Sequence, residues 1–131
     1  MDSDSVKFFP YEGDTGNLLV DKNHLVFQWG GPGFVLFSVS RRGNAASCHF
    51  SCDKKGLRHL KQAIDEFVEF VLWIFDWCDM VMAQIKKPSV DRIVKKCGFF
   101  AIAKAEEITV YVRPRKWVMS LEKSQMSQLL A

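Results

Sequence analysis

The sequence lacks any long hydrophobic run. Its most apolar stretch, from Phe67 to Met82, carries three acidic residues, whereas a membrane span needs about 18 to 20 consecutive apolar residues. We therefore expect a buried core element there and no membrane segment. The beginning of the chain is acidic and polar and lacks the basic, then apolar, pattern of a secretory signal, which predicts a cytoplasmic location.

A strong charge of either sign is also absent. The formal net charge is +3, which is too small to indicate nucleic-acid binding by itself. The aromatic residues lie inside apolar runs, whereas nucleic-acid-binding segments interleave them with Arg and Lys. We therefore expect no nucleic-acid partner.

Cysteines are few, and their spacing argues against a metal site. The chain has four, which in a cytoplasmic protein are expected to be reduced core thiols. Cys48 and Cys52 flank His49 within one predicted strand. Residues four apart on a strand lie about 13 Å from each other, and neighbouring residues point to opposite faces. These three side chains therefore cannot hold one ion, and we expect no metal.

The chain divides into three segments by composition. Its 131 residues predict a single domain. Pro, Gly and Asp interrupt residues 1–23, which predicts a loose N-terminal segment with one edge strand. Regular patterns run through residues 24–116, the predicted domain. Residues 117–131 have a helical composition and predict a C-terminal helical tail.

Three β-rich runs open the predicted domain. They are "HLVFQW" from His24, "FVLFSVS" from Phe34 and "ASCHFSC" from Ala46. A Gly/Pro-rich turn separates the first two, and "RRGN" separates the second from the third. Short turns of this kind join antiparallel neighbours. The sequence therefore predicts a three-stranded antiparallel meander.

The pattern then changes to a helical one. From Leu57 to Phe75 apolar residues recur every three or four positions, which predicts one helix of about five turns. Its second half, "FVEFVLWIF", is apolar nearly all round and is expected to pack on more than one side. The continuous apolar run "DMVMAQI", ending at Ile85, predicts a strand buried on both faces. A strand reached through a helix is expected to lie parallel to the third meander strand.

A short helix and a hairpin complete the pattern. Pro88 favours the first turn of a helix, and Gly98 favours the left-handed residue just past its end. "FFAIAKA" and "ITVYVRP" then predict two strands around a turn at Glu106 and Glu107. The predicted fold class is α+β, with a mixed sheet.

The order of these elements resembles the GNAT (Gcn5-related N-acetyltransferase) fold over about Leu25 to Arg113. The local marker is "VDRIVKKCGF", which is similar to the GNAT segment in which a short helix ends in Gly-Phe and the Phe enters the core. In size and layout the chain resembles the small GNAT-like proteins of short-tailed bacteriophages. The alternative is an unrelated α+β domain with the same order of elements.

The resemblance implies acetyl-CoA as the cofactor. Its pyrophosphate would lie at the turn formed by Lys54, Lys55, Gly56, Leu57 and Arg58, and its pantetheine arm between "ASCHFSC" and "DMVMAQI". Lysines in the first turn of a helix oppose the helix dipole, so a bound anion would offset their cost. The alternative is a solvated basic turn capped by Asp53. Arg58 stands where the family has a second Gly or Ala.

Catalytic residues are harder to find. Acyl transfer needs a base and, in many GNAT enzymes, a Tyr that protonates the departing thiolate. Val94 occupies the matching position and cannot transfer a proton. His49, Glu66 and Glu69 are candidate bases by location, although His49 also suits a purely structural role in the sheet. Fewer than 25 residues precede the meander, so the wall of an acceptor pocket would be incomplete.

Two functions are consistent with these features. The first is an acyl-CoA-binding protein of the N-acetyltransferase fold, phage-encoded and with doubtful catalytic activity. The second is a non-catalytic GNAT-like protein, a phage accessory or virion-associated protein or one that binds a host protein. The sequence leaves open whether the chain is an enzyme, and it predicts no oligomeric state.

Overall fold

The computed structural model describes residues 7–18, 20 and 23–115. The predicted helical tail, residues 117–131, lies outside the described residues. Within them the chain forms seven strands and three helices. The strands are β1 (Phe8–Pro10), β2 (Leu25–Trp29), β3 (Val35–Arg42), β4 (Ala45–Cys52), β5 (Met80–Ile85), β6 (Phe100–Ala105) and β7 (Ile108–Pro114). The helices are α1 (Lys54–Arg58), α2 (Leu60–Ile74) and α3 (Pro88–Lys96).

All seven strands belong to one mixed sheet in the order β1-β2-β3-β4-β5-β7-β6. Strands β1 to β4 are antiparallel, and β7 pairs antiparallel with both β5 and β6. Strand β5 pairs parallel with β4, as predicted for a strand that follows a crossover helix. The α+β class, the meander, the crossover and the terminal hairpin are therefore confirmed. Strand β1 is the edge strand expected in the N-terminal segment.

The prediction of one continuous five-turn helix was wrong. The helical stretch divides at His59, whose φ and ψ of −111° and 14° lie outside the α-helical range. The His59 amide donates to the Gly56 carbonyl at 3.0 Å, which tightens the end of α1. Helix α2 begins at the next residue, Leu60. Leu57 is consequently 50 % exposed, and the buried stripe begins at Leu60.

Aromatic side chains hold α2 on the sheet. The ring of Phe67 stacks on that of Phe37 of β3, with centroids 4.1 Å apart and planes 8° from parallel. Phe8 of β1 meets Phe67 edge-on at 5.3 Å and stacks on Phe70 at 5.0 Å. Aromatic pairs at such distances stabilise beyond their buried area alone. The centre of the core is therefore an aromatic layer between α2 and the meander.

Two expectations about all-round burial were wrong. The end of α2 packs on one side only, because Trp73 is 52 % exposed and Ile74 is 45 % exposed. In β5, Val81 and Ile85 are buried while Gln84 is exposed. The core residues of α2 and α3 share one cluster with the side of β5 that carries Val81, so both helices cover the same face of the sheet. That arrangement leaves β5 without a helix on its second face among the described residues.

Helix α3 ends as the sequence predicts. Gly98 adopts a φ of 87°, a left-handed conformation that favours glycine. The Gly98 amide donates to the Lys95 carbonyl at 3.2 Å and the Phe99 amide to the Val94 carbonyl at 3.1 Å, which together form a Schellman motif. This turn carries Phe99 into the core, where it is 6 % exposed. The expected role of the Gly-Phe pair is confirmed.

The aromatic layer predicts a large effect of Phe67→Ala. Removing a buried ring that contacts four other rings should lower the free energy of unfolding by about 3 to 5 kcal/mol. Leu57→Ala is the control on the same stretch, and because Leu57 is half exposed the change should stay within about 0.5 kcal/mol. Urea unfolding followed by circular dichroism measures both. Equal small losses would contradict the placement of the aromatic layer.

Candidate functional site

The sheet opens between β4 and β5. These strands pair over four residue pairs, from Ala45 with Met80 to Cys48 with Ala83. Strand β4 continues to Cys52 and β5 to Ile85, yet no pairing joins these described ends of the two strands. The two strands therefore diverge beyond Cys48, and a cleft separates them.

A cavity of about 130 Å³ fills this cleft. Helices α2 and α3 and the Gly-Phe turn that follows α3 supply one side of its lining: Ile64, Phe67, Val68, Val94 and Phe99. The strands supply the rest: Phe37, Cys48, His49, Phe50, Val81, Ala83, Gln84 and Ile85. All of the lining residues from the helix side are apolar and buried. The two most polar lining residues are His49 and Gln84.

His49 and Gln84 are the cavity-lining residues that lie on the second face of the sheet. His49 follows Cys48 on β4, and Gln84 follows Ala83 on β5, so each points to the face opposite the helices. His49 is half-buried and Gln84 is exposed. The lining therefore combines apolar side chains on the helix side with two polar residues on the opposite face. Gln84 was not among the predicted site residues. The signal that could have identified it is its polar side chain inside the apolar run "DMVMAQI".

His49 is the one predicted base that lines the cavity. Burial lowers the pKa of its imidazole, and the nearby positive charges of His24 and Arg42 lower the pKa further. The rings of His49 and His24 lie 6.2 Å apart. An imidazole with a pKa below its usual 6.5 is neutral at pH 7 and can accept a proton there. Its position and charge state both suit a general base.

The other two predicted bases lie elsewhere. Glu66 accepts hydrogen bonds from Trp29 Nε1 at 3.0 Å and Gln62 Nε2 at 2.9 Å. It also pairs with Lys7 Nζ at 3.5 Å. These contacts tie the Glu66 carboxylate to the packing of β1 and β2 on α2. Glu69 is exposed on α2, and neither carboxylate lines the cavity.

The basic turn is capped by its own carboxylate. Asp53 Oδ1 accepts hydrogen bonds from the Gly56 amide at 2.6 Å and the Phe34 amide at 3.1 Å, so the predicted N-cap is confirmed. These bonds lower the pKa of the Asp53 carboxyl, first through Gly56 and then through Phe34. The carboxylate already takes up the Gly56 amide, a donor at the start of α1 that an incoming phosphate would use. The side chains of Lys54 and Lys55 are exposed around it.

Gly56 serves the packing of the turn. A Cβ atom added there would lie 2.6 Å from the Phe34 carbonyl oxygen and 2.8 Å from a Val35 methyl group. The turn between β2 and β3 therefore presses directly on α1, and only glycine fits between them. This contact explains the single glycine without a ligand. Because of this contact, a substitution such as Gly56→Asp would disturb folding and is not a suitable test of anion binding at the turn.

Neither tyrosine among the described residues reaches the cavity. Tyr111 is buried on β7, where burial raises the pKa of its hydroxyl and a hydrogen bond to Asp91 raises the pKa further. Tyr11 donates its hydroxyl to the Asp14 carbonyl at 2.8 Å. Val94 lines the cavity at the position where the resemblance implies a Tyr. Among the described residues, the lining therefore contains no hydroxyl that could protonate a leaving thiolate.

The described residues form neither a metal site nor a membrane-spanning helix. No group of three or more His, Cys, Asp or Glu side chains comes close enough there to hold a metal ion. No helix in the same part of the chain is long and apolar enough to cross a membrane.

The Asp53 cap predicts a pH-dependent contribution to stability. Because the folded-state pKa of Asp53 lies below the unfolded-state pKa, its contribution is complete at pH 7 and is lost as the pH falls through the folded-state value. Asp53→Ala should therefore lower the melting temperature at pH 7, and the gap from wild type should narrow below about pH 4. Thermal melts across this range measure it, with Asp76→Ala, an exposed aspartate, as the control. A gap that is constant with pH would contradict the cap.

Comparison with known proteins supports the fold. No protein-family model matches the sequence, and no curated protein matches it. Among solved structures, dodecameric spermidine N-acetyltransferase from Vibrio cholerae matches with a TM-score of 0.63 and 10% identity, over 78% of this chain and 71% of that chain. The N-acetyltransferase PseH from Campylobacter jejuni matches with a TM-score of 0.58 and 10% identity, over 73% and 71%. At this identity the likeness concerns architecture alone, and the chain has the fold of the GNAT N-acetyltransferases.

Proposed function

We propose that the chain binds an acyl-CoA in the cleft between β4 and β5 and transfers its acyl group slowly or not at all. The observation that carries this proposal is the divergence of the two strands beyond Cys48, with the cavity between them. A gap in the middle of a sheet is costly unless its backbone groups find other partners. An acyl-CoA supplies such partners.

The pantetheine arm suits the gap chemically. It is a narrow chain with two amide groups, which can donate to and accept from a strand edge as an added strand would. The ends of β4 and β5, at Cys52 and Ile85, offer two such edges facing each other. The apolar lining between Cys48 and Val94 suits the thioester end of the ligand.

The phosphate end of the ligand is held less well. Asp53 already caps the turn, so the amides of α1 contribute little to an anion. Lys54, Lys55 and Arg58 remain as exposed cations that can approach the phosphates through their side chains. Attraction between exposed charges is screened by salt. We therefore expect moderate affinity that weakens as the salt concentration rises.

Acyl transfer needs a general base and a general acid, and the described lining supplies only the base. His49 can act as the base because it is neutral and lines the cavity. No acid for the thiolate stands in the described lining, and Val94 occupies its expected place. Slow transfer or none follows from this imbalance.

A second function is favoured by a different observation. Trp73 and Ile74 at the end of α2 are about half exposed, and Arg41 lies 4.7 Å above the ring of Trp77 nearby in sequence. Exposed aromatic residues beside Arg are typical of protein-binding surfaces. A non-catalytic binding protein, a phage accessory, virion-associated or host-directed one, would use this end of the molecule and leave the cleft unused.

Calorimetry with acetyl-CoA tests the first function. We expect a Kd in the micromolar range for the wild type, roughly the affinity of a moderate ligand. The variant Lys54→Ala, Lys55→Ala, Arg58→Ala should bind about 10-fold more weakly or worse, because it removes the remaining cations near the phosphates. The variant Arg92→Ala, Lys95→Ala, Lys96→Ala removes the same number of exposed charges from α3 and is the matched control.

The outcomes separate the two functions. Binding that is lost only in the first variant supports the acyl-CoA proposal. Equal weakening in both variants would indicate a general charge effect and would contradict the assigned phosphate site. No heat in any protein would retire acyl-CoA binding and favour the protein-binding alternative.

A further inference from the structure

We infer that the predicted helical tail, residues 117–131, packs along the second face of the sheet, opposite α2 and α3, and covers that face beside His49. The inference concerns this chain alone and involves no ligand, so its failure would leave the proposed function intact. Its basis is a band of buried residues on a face that carries no described helix.

The second face carries buried side chains that the described helices do not cover. Leu36 of β3 and Val112 of β7 are each 1 % exposed, yet neither belongs to the core cluster that packs on α2 and α3. Ser38 and Ser47 are also buried. The strand neighbours of these residues belong to the core cluster, so all four point to the second face. A side chain on a bare sheet face keeps its outer surface in water, so another part of the protein must lie over them.

The buried residues form a diagonal band that starts where the described chain ends. Pro114, which is also buried, pairs with Met80, Met80 pairs with Ala45, and Ala45 pairs with Arg42. Pro114 is therefore level with Arg42 and three strand spacings away, about 14 Å. Leu36 lies six residues from Arg42 along β3, about 20 Å. The band from Pro114 to Leu36 is thus about 24 Å long.

The tail has the length to cover this band. Residues 117–131 are 15 in number, and a helix of that length measures about 22 Å. The chain leaves β7 at the right place, because the Arg115 amide donates to the Asp79 carbonyl at 2.7 Å and so holds the last described residue beside the start of β5. The tail therefore begins at one end of the band and can reach the other.

No other segment fits the band as well. Among the described residues before β2, residues 11–17 are exposed or partly exposed, and a segment that covered the sheet would be more buried. The other segments outside the described residues are residues 1–6, 19 and 21–22. As a helix, six residues would span about 9 Å, which is well short of the band.

The tail sequence has one apolar and one polar side. At helical spacing, one side carries Val118, Leu121 and Leu129, and the opposite side carries Ser120, Ser124 and Ser127. The apolar side suits contact with Leu36 and Val112. The serine side then faces water.

This arrangement places the tail next to the candidate base. His49 pairs with Ser38 across β3 and β4 and lies two residues from Ser47, so a cover over both serines lies beside the imidazole. His49 is half-buried while Gln84 is exposed, which places an edge of the cover between them. The tail therefore supplies a wall beside His49, where the short N-terminal segment leaves an acceptor pocket incomplete.

Methyl contacts in the unsubstituted chain test the inference directly. We expect nuclear Overhauser effects from the methyl groups of Leu121 and Leu129 to those of Leu36 and Val112, measured on a methyl-labelled sample. Their absence would overturn the inference. A sample mixed from differently labelled chains identifies a second copy as the cover, and contacts that arise only between chains would overturn it as well.

A thiol placed under the tail gives a second measurement. Ser38→Cys lies in the tryptic peptide 23–41, which has no other cysteine, so its alkylation is read separately by mass spectrometry. Adding Leu121→Asp and Leu129→Asp should raise the alkylation rate at position 38 about 10-fold or more, because the cover opens locally. Cys48, buried on the helix side of β4, should keep its rate.

The matched control adds the same charge to the polar side of the tail. Ser120→Asp with Ser127→Asp should leave the rate at position 38 unchanged. An equal rise with either pair of substitutions, or no rise with the leucine pair, would overturn the inference. If Cys48 also becomes reactive in the leucine variant, the whole domain has opened, and the methyl contacts of the unsubstituted chain then decide.

Discussion

The structure depends on one short stretch of parallel pairing, between β4 and β5 from Ala45 with Met80 to Cys48 with Ala83. This pairing joins the meander to the rest of the sheet, and its early end creates the cleft. The stack of Phe67 on Phe37 fixes α2 across the meander. Since β5 returns from α2, the direction of that helix decides where β5 meets β4. The same stack therefore underlies both the fold and the cavity.

The turn after β4 is already occupied by a carboxylate of the protein. Its backbone amides would suit an anion, but the Asp53 carboxylate already accepts from the Gly56 amide of this turn and from the Phe34 amide of the turn between β2 and β3. The turn between β2 and β3 presses on Gly56, so the whole corner is closed by the protein itself. Binding energy for a ligand must then come mainly from the cleft. A ligand would therefore be held mainly through its acyl group and pantetheine arm in the apolar cleft, and only weakly through its phosphates at the capped turn.

The sequence predicted the elements better than the contacts between them. The ends of α3 were readable from Pro88 and Gly98, because each residue restricts the backbone locally. The break at His59 was not, since the stripe of apolar residues continues through it and the hydrogen bond between Asp53 and Phe34, which anchors α1, joins residues 19 positions apart. The hydrogen bond that holds the Glu66 carboxylate in a structural role could not be predicted either, because its donor Trp29 lies 37 residues away. Side-chain partners brought together by folding leave no local signal.

The most direct test of the account is a nuclear magnetic resonance titration of the labelled protein with acetyl-CoA. We predict the largest chemical-shift changes in the amides and methyl groups that line the cleft, above all at His49, Ala83 and Val94, with smaller changes at Lys54 and Lys55. Shifts confined to the end of α2 near Trp73, or no shifts at millimolar ligand, would contradict a ligand site between β4 and β5.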